Sequence, residues 1–410
     1  MKSLLWILLL FPSPLMASVI DVCGTCEIRT IRDAVASAKE DDTIQVHEGE
    51  YPEGMIFIDK PLHLIGMNRP VVDGLKKEHV FYVRANDTTI EGFAIQNSGQ
   101  SYISEYAGVR VEEASRCNIS DNIFQDNTYS IYLAKVDGCV IERNQITGNA
   151  KNEVSSGNGV HMWYSRHIRI SKNSIRRHRD GLYLEFTPDS VIEENICFQN
   201  IRYGLHFMYS PNNRYYKNIF TQNQTGVAVM YSKNVVMEEN IFEKSWGRVS
   251  YGLLLKDISD SFIRSNRFAG NTVGIFVDEV TRTRFEENRF KNNGWALNIL
   301  GNSETNIFVK NDFLANYFNV ATNAMSPRNT FSDNYWSDYR GYDLNRDGTG
   351  DIPFRPMKIF SVWVNHYPEL VALLASPVIE FLEVAEKVFP VLTPKSLEDK
   401  SPRMKPLVKS

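Results

Sequence analysis

From Gly226 the chain reads GVAVMYSKNVVMEENIF, in which apolar residues fall at every second position and then give way to a polar turn. Alternation of this kind puts successive side chains on opposite faces of a strand, whereas a helix would need apolar residues at three and four spacing. The pattern returns at a regular interval. An Asn followed two residues later by an apolar residue occurs at Asn122, Asn144, Asn173, Asn195, Asn218, Asn240, Asn266, Asn288, Asn311 and Asn334, with gaps of 22, 29, 22, 23, 22, 26, 22, 23 and 23 residues. Each unit predicts short strands separated by turns, and stacking the units predicts a parallel β-helix. Asn suits the turns because it tolerates left-handed backbone angles and because amides stacked about 4.8 Å apart can hydrogen-bond into a ladder. A leucine-rich repeat has a similar period, but the Leu spacing it requires is missing.

An open stack would expose unpaired backbone and apolar core, so its ends need covering. Thr30 to Asp42, TIRDAVASAKEDD, predicts a short amphipathic helix with Thr30 as N-cap that plugs the first coil. Three units carry extra residues, at Ser98 to Gly108, Ala150 to Ser156 and Ser245 to Val249. Each lies between an Asn strand and the next Gly strand, so all three emerge from one corner, and loops gathered there predict a binding face.

Units aligned on Gly159, Gly181, Gly204, Gly226, Gly252 and Gly274 have mainly aliphatic residues at the first and third following positions, which face the core. The second and fourth face outward. They read His161, Tyr183, His206, Ala228, Leu254 and, beside them, Trp163, Glu185, Met208, Met230, Lys256. Imidazole and thioether ligands favour Cu(I) over hard cations, so His161, His206, Met208 and Met230 are candidate copper ligands. Trp163 and Tyr183 frame them as candidate partner-binding residues. A hydrophobic docking patch without metal is the alternative.

With 45 basic and 49 acidic residues the chain lacks a nucleic-acid footprint. Residues 1–17, MKSLLWILLLFPSPLMA, have a basic start, an apolar run too short to span a membrane and a small residue at Ala17, as expected of a secretory signal. The five cysteines do not make a disulfide framework. Cys23 and Cys26 predict either an oxidised local loop or a thiolate metal site, whereas Cys117, Cys139 and Cys197 fall on the inward phase and read as buried thiols. YDLNRDGTGD places Asp343, Asn345, Asp347, Thr349 and Asp351 like the first nine positions of a calcium loop. Phe354 stands where the bidentate Glu would be, so the expectation is a structural Ca²⁺ or a plain polar turn.

The repeats stop after Pro356. Apolar clusters at helical spacing follow, broken by Pro368, Pro377 and Pro390 and carrying Glu380, Glu383 and Glu386. These predict helices that lean on the last coil or on a membrane-embedded partner, not a span. The end, KSLEDKSPRMKPLVKS, reads as a disordered tail, so removing everything after Pro356 should leave the coils folded. The expected organisation is a signal over 1–17, a parallel β-helix over 18–356, and docking helices with a tail over 357–410.

The segments GNGVHMWYS, HRDGLYLEF, RYGLHFMYS, YGLLLKDISDS, NTVGIFV and YDLNRDGTGDIPFRP, with the proline-broken tail, together resemble the NosD family of periplasmic maturation proteins for nitrous oxide reductase. The resemblance implies an all-β fold, a right-handed parallel β-helix. It also implies a binding factor rather than an enzyme, held at the inner membrane by an ABC-type permease and its ATPase. A copper chaperone lipoprotein would feed that complex, and apo nitrous oxide reductase would receive the metal. It supplies no metal ligands, so the copper residues above rest on the columns alone. The rival class is a polysaccharide-active enzyme, which would need paired outward carboxylates on neighbouring coils.

Overall fold

The computed structural model describes residues 18–101, 103–323, 328–373, 376–388 and 397–407. The expected signal, residues 1–17, and Pro390 lie outside the described residues. Two tight bends and one wider corner break each repeat into three strands. Asn118–Ser120, Ile123–Gln125 and Tyr129–Ala134 make one coil, and Val140–Glu142 opens the next. Equivalent strands pair in parallel up the stack, giving sheets of 14, 13 and 12 strands, here sheets I, II and III. The all-β parallel solenoid predicted from the repeat is the architecture observed. Among the described residues, helix is confined to α1 (Ile31–Ser37), α2 (Ile359–His366), α3 (Pro377–Val388) and a 3₁₀ segment at Pro368–Leu373.

The repeating Asn lies in the turn from sheet I to sheet II, with its side chain buried. From Asn122 to Asn311 each Asn gives its backbone N–H and its Nδ2–H to the Oδ1 of the next Asn, as Asn218 does to Asn240 at 3.0 Å for both bonds. One of the two expected reasons for Asn is corrected. The left-handed backbone falls on the residue before it, at Asp121, Arg143, Lys172 and Glu194. The side-chain ladder is therefore what requires Asn. A second amide ladder, which the repeat count did not separate from the first, runs along the turn into sheet III, joining Asn200 to Asn223 and, beyond Ser245, Asn271 to Asn293 and Asn316. The Gly column has a different cause. A Cβ on Gly204 would lie 2.6 Å from the carbonyl oxygen of Gly226 in the next coil, a distance at which something must shift.

Inside the coil the apolar residue after each Asn stacks on its counterpart. Phe220, Phe242, Phe268, Phe290, Phe313 and Trp336 form a column with ring centroids 4.1 to 5.5 Å apart. Cys197 is buried in this core as expected, with its thiol pushed up by burial. For Cys117 and Cys139 the expectation of thiols is corrected, because they form a disulfide. Sharing a column on successive coils brings their Cα atoms to 4.5 Å, within disulfide reach. Replacing both with Ser should cost about 3 kcal/mol by releasing a closed loop in the unfolded chain. Urea titration of the variant against the parent checks this, and an unchanged midpoint would count against it.

At the first end, Thr30 Oγ1 accepts from the Asp33 N–H as the predicted N-cap. Glu53 adds acceptors for the N–H groups of Ile31 and Arg32, at 2.7 and 2.9 Å. At the other end, Phe360 and Val364 of α2 and Ile379 of α3 pack against Phe318 of the last sheet III strand. No described helix is long and apolar enough to cross a membrane.

The expected disordered tail is corrected over residues 397–407. Asp399 and Arg403 form parallel bridges with Phe331 and Tyr335 in the last coil, and Leu397 and Asp399 are buried. Arg403 Nη2 lies 2.7 Å from Asp312 Oδ1. The segment crosses the open end because the last apolar coil and the final ladder amide would otherwise face water. Cutting at Pro356 therefore removes part of the solenoid's own cap, against the earlier expectation.

Candidate functional site

The three insertions leave the corner between sheets II and III, as predicted. They border the outward face of sheet III, where His206 and Met208 lie on the strand Tyr203–Met208. Both point to the same side because they are two residues apart. Met208 is paired in register with Met230 of the next coil, so the two thioethers stand one rung apart, roughly 4.8 Å along the stack.

The histidines are not open to water as the columns suggested. His161 and His206 are each only 6% exposed. His161 lies flat on Tyr132, with centroids 4.5 Å apart, and contacts Tyr183 at 4.7 Å. His206 is enclosed by Tyr183 at 5.0 Å and Tyr203 at 4.8 Å. The structure therefore places His206, Met208 and Met230 at adjacent positions of one face, with His161 two coils away. Tyr183 separates His161 from His206 in the register, and His161 Nδ1 already has a partner in Asn158 Nδ2 at 3.0 Å. Trp163 and Tyr183 are half-buried on the same face. Burial pushes the Tyr183 hydroxyl up to about 12.

His206 is different from its neighbours. Both of its ring nitrogens are buried without a hydrogen-bond partner. Asp180 Oδ2 lies 3.8 Å from Nδ1, too far for a hydrogen bond. Asp180, fully buried, is held instead by Arg202 at 2.5 and 2.9 Å. Burial alone would raise the Asp180 carboxyl, but Arg202, with His206 3.8 Å away as a second, weaker influence, outweighs it and keeps the group below its usual value. An unpartnered imidazole in a buried setting is a coordination-ready group, since desolvating it without a bond is costly. Next to two thioethers it fits a soft monovalent ion.

Two features of this face were missed. Arg202 occupies the position before Tyr203, and Tyr203 is the register partner of Asp180, so the ion pair crosses one coil. Tyr164, Phe186, Tyr209 and Tyr231 stack at 4.5, 5.1 and 4.9 Å beside the Trp163–Met230 column. All four have positive φ, between 48° and 51°, an uncommon setting for bulky residues. The signal was present in WYS, EFT, MYS and MYS, one residue beyond the columns read.

At the loop where calcium is expected, the acidic side chains bond to the loop's own backbone and to Asn345. Asp343 accepts from the N–H groups of Asp347 and Gly348, Asp347 from Thr349 and Asn345 Nδ2, and Asp351 from Leu344. Asn345 Oδ1 also accepts from the Asp347 N–H. The Thr349 N–H, with Asn345, holds the Asp347 carboxyl below its usual value. Among the described residues no three His, Cys, Asp or Glu side chains converge to hold a metal ion. Asp343, Asn345, Asp347 and Asp351 thus all accept hydrogen bonds from within the turn, and Thr349 contributes its N–H to Asp347.

Burial, reinforced by Arg110, pushes His79 down to about 4, and burial alone does the same to His178. Burial with Arg179 pushes His161 down to about 3. With the folded values below the ordinary 6.5, the unfolded chain binds more protons between 6.5 and 4, so the stability these groups allow is present above pH 6.5 and lost on acidification through that window. The expected loss by pH 4.5 is on the order of 2 kcal/mol per buried histidine. His178 occupies the second ladder, where its N–H donates to Asn200 Oδ1. His178→Asn should flatten the slope, as read by denaturation at pH 7 and 4.5, and an equal slope would refute the assignment.

The stacked three-strand coils define a parallel β-helical repeat protein. The family described as periplasmic copper-binding protein (NosD) matches residues 67–156 and 144–341, and the chain belongs to that family. Two relatives, both named probable ABC transporter binding protein NosD, are 28% identical. The one from Pseudomonas aeruginosa aligns over 96% of this chain and 95% of its own, and the one from Stutzerimonas stutzeri over 87% and 85%. Among solved structures, the catalytic domain of an α-1,3-glucanase has a TM-score of 0.60 at 11% identity, covering 79% of this chain and 70% of its own. PfbA, a surface adhesin of Streptococcus pneumoniae, has 0.56 at 13%, covering 75% and 88%. At such identities these two share the fold alone.

Proposed function

We propose that the protein is a periplasmic accessory subunit that docks on an ABC-type permease and its ATPase and takes part in delivering copper for maturation of nitrous oxide reductase. The observation that carries this reading is the unpartnered His206 imidazole beside the register-paired Met208 and Met230, in a chain of the NosD family. Cu(I) is cargo here. Thioethers bind it without a proton to displace, and an imidazole with no competing hydrogen bond completes the set. A copper chaperone lipoprotein would load the site, and apo nitrous oxide reductase would unload it. Association with the inner membrane would run through the permease, for which α3 offers Val378, Phe381 and Val384 on its exposed side.

The polysaccharide-enzyme alternative finds little support on this face. Asp180 is bound by Arg202, and Glu185 has Trp163 and Met208 as its register partners, so it has no carboxylate beside it in the column. A purely structural docking subunit is separated by one experiment. Met208→Leu with Met230→Leu keeps bulk and removes both thioethers. Cu(I) affinity, measured anaerobically against a chromophoric chelator, should fall at least tenfold, about 1.4 kcal/mol, with co-purification of the permease retained. Parental affinity in the double variant, with normal reductase maturation, would remove these side chains from the mechanism. Met208→Lys should instead impair docking through the buried charge.

A further inference from the structure

We infer that Cys23 and Cys26 form a second, redox-gated Cu(I) site: a disulfide in the oxidised chain and, once reduced, a two-thiolate ligand pair at the N-terminal end of the solenoid. The inference rests on the reading that copper is the cargo, but on different residues. The bond between Cys23 and Cys26 closes a turn between the first strand, Val19–Val22, and α1. The turn has other ties. Cys26 N–H donates to Cys23 O at 3.2 Å, Cys23 N–H donates to Ile28 O at 3.3 Å, and Val22 bridges Ile28. Reduction therefore leaves both sulfur atoms on one preformed turn, on Cα atoms 5.0 Å apart.

Accessibility singles out this pair. Cys23 and Cys26 are half-exposed, whereas Cys117, Cys139 and Cys197 are buried inside the coil, out of reach of an attacking thiolate. The donor count selects the ion. Among the described residues no three His, Cys, Asp or Glu side chains converge, so the reduced pair supplies two thiolates with no further His, Cys or carboxylate ligand beside them. That suits Cu(I) and not tetrahedral Zn²⁺. Exchange with a protein dithiol breaks the S–S bond, passes two electrons and two protons to the cysteines and leaves the donor as a disulfide. Cu(I) binding then forms two S–Cu bonds and releases both thiol protons. Along sheet I the turn is several coils from the strand Tyr203–Met208, roughly 40 Å, so the two sites load independently.

The test is an anaerobic Cu(I) titration of the mature protein before and after treatment with a water-soluble phosphine, with free thiols counted and folding followed by circular dichroism. The reduced parent should bind one more equivalent than the oxidised parent. The variant Cys23→Ser with Cys26→Ser should bind the same amount in both states. Met208→Leu with Met230→Leu should lose the binding seen in the oxidised chain yet keep the increment on reduction, so failure at either site shows separately. No increment with two thiols freed, an increment that survives in the double Ser variant, or a pair that resists reduction would each overturn the inference.

Discussion

Asn240→Ala should destabilise the solenoid by about 3 kcal/mol, although the residue touches neither end of the stack nor the candidate site. Its Oδ1 accepts from the Asn218 N–H and Nδ2–H, and its Nδ2 donates to Tyr215 O and Asn266 Oδ1. Ala removes all four bonds. Asn218 Nδ2 keeps Ile192 O, but its backbone N–H is left buried with no acceptor, and a small cavity opens in the turn. Asn240→Asp should be worse at neutral pH. The carboxylate could accept from Asn218, but it would set an unpaired charge against two acceptors, Tyr215 O and Asn266 Oδ1. Protonation restores one donor, so the excess loss over Ala should shrink in acid. Urea unfolding at two pH values reads both effects, and equal stability of the Ala variant and parent would mean the ladder is ornamental.

The period was legible because the ladder places an Asn in every coil from Asn122 to Asn334, whereas the core column accepts Ile, Cys or Phe. The same comparison explains the misassigned left-handed position. Asp121, Arg143, Lys172 and Glu194 adopt it with no shared chemistry, so nothing in the residue types marked it. The outward columns were read in the right phase, and Met208 and Met230 are paired as expected. What the columns could not give was cover. His206 is buried by Tyr183 and Tyr203, the one from the coil before and the other from its own strand, and its lack of partners depends on Arg202 taking Asp180. The closing segment was invisible for a related reason. Asp399 meets Asn334 across 65 residues, outside any period, in a stretch whose composition suggested disorder.

Asp399→Ala should open the C-terminal coil at a cost of about 4 kcal/mol, because one carboxylate oxygen serves three buried donors. Asp399 Oδ2 accepts from the Asn334 N–H, Asn334 Nδ2–H and Trp336 Nε1–H at 3.1, 3.0 and 3.0 Å, in the place where a further Asn would stand. The first ladder thus ends on a carboxylate, and the position explains why an acid is tolerated there alone. The Asp399 carboxyl is raised by burial, which the hydrogen bonds from Asn334 and Trp336 only partly offset. A folded value above the unfolded one means that the folded chain takes up the proton first, so this group's contribution to stability falls as pH rises through that value. A neutral isostere should then do well. Asp399→Asn keeps an oxygen for Asn334 and Trp336, loses the bond from the Ser401 N–H, and should stay within about 1 kcal/mol of the parent. Deleting residues 397–410 should exceed the Ala loss, since Arg403 then also leaves Asp312 and the last coil is uncovered. Hydrogen exchange at the Asn334 amide and the Trp336 indole N–H is the direct reading. Parental protection there in the Ala variant would show that the strap merely rests on the solenoid and does not close it.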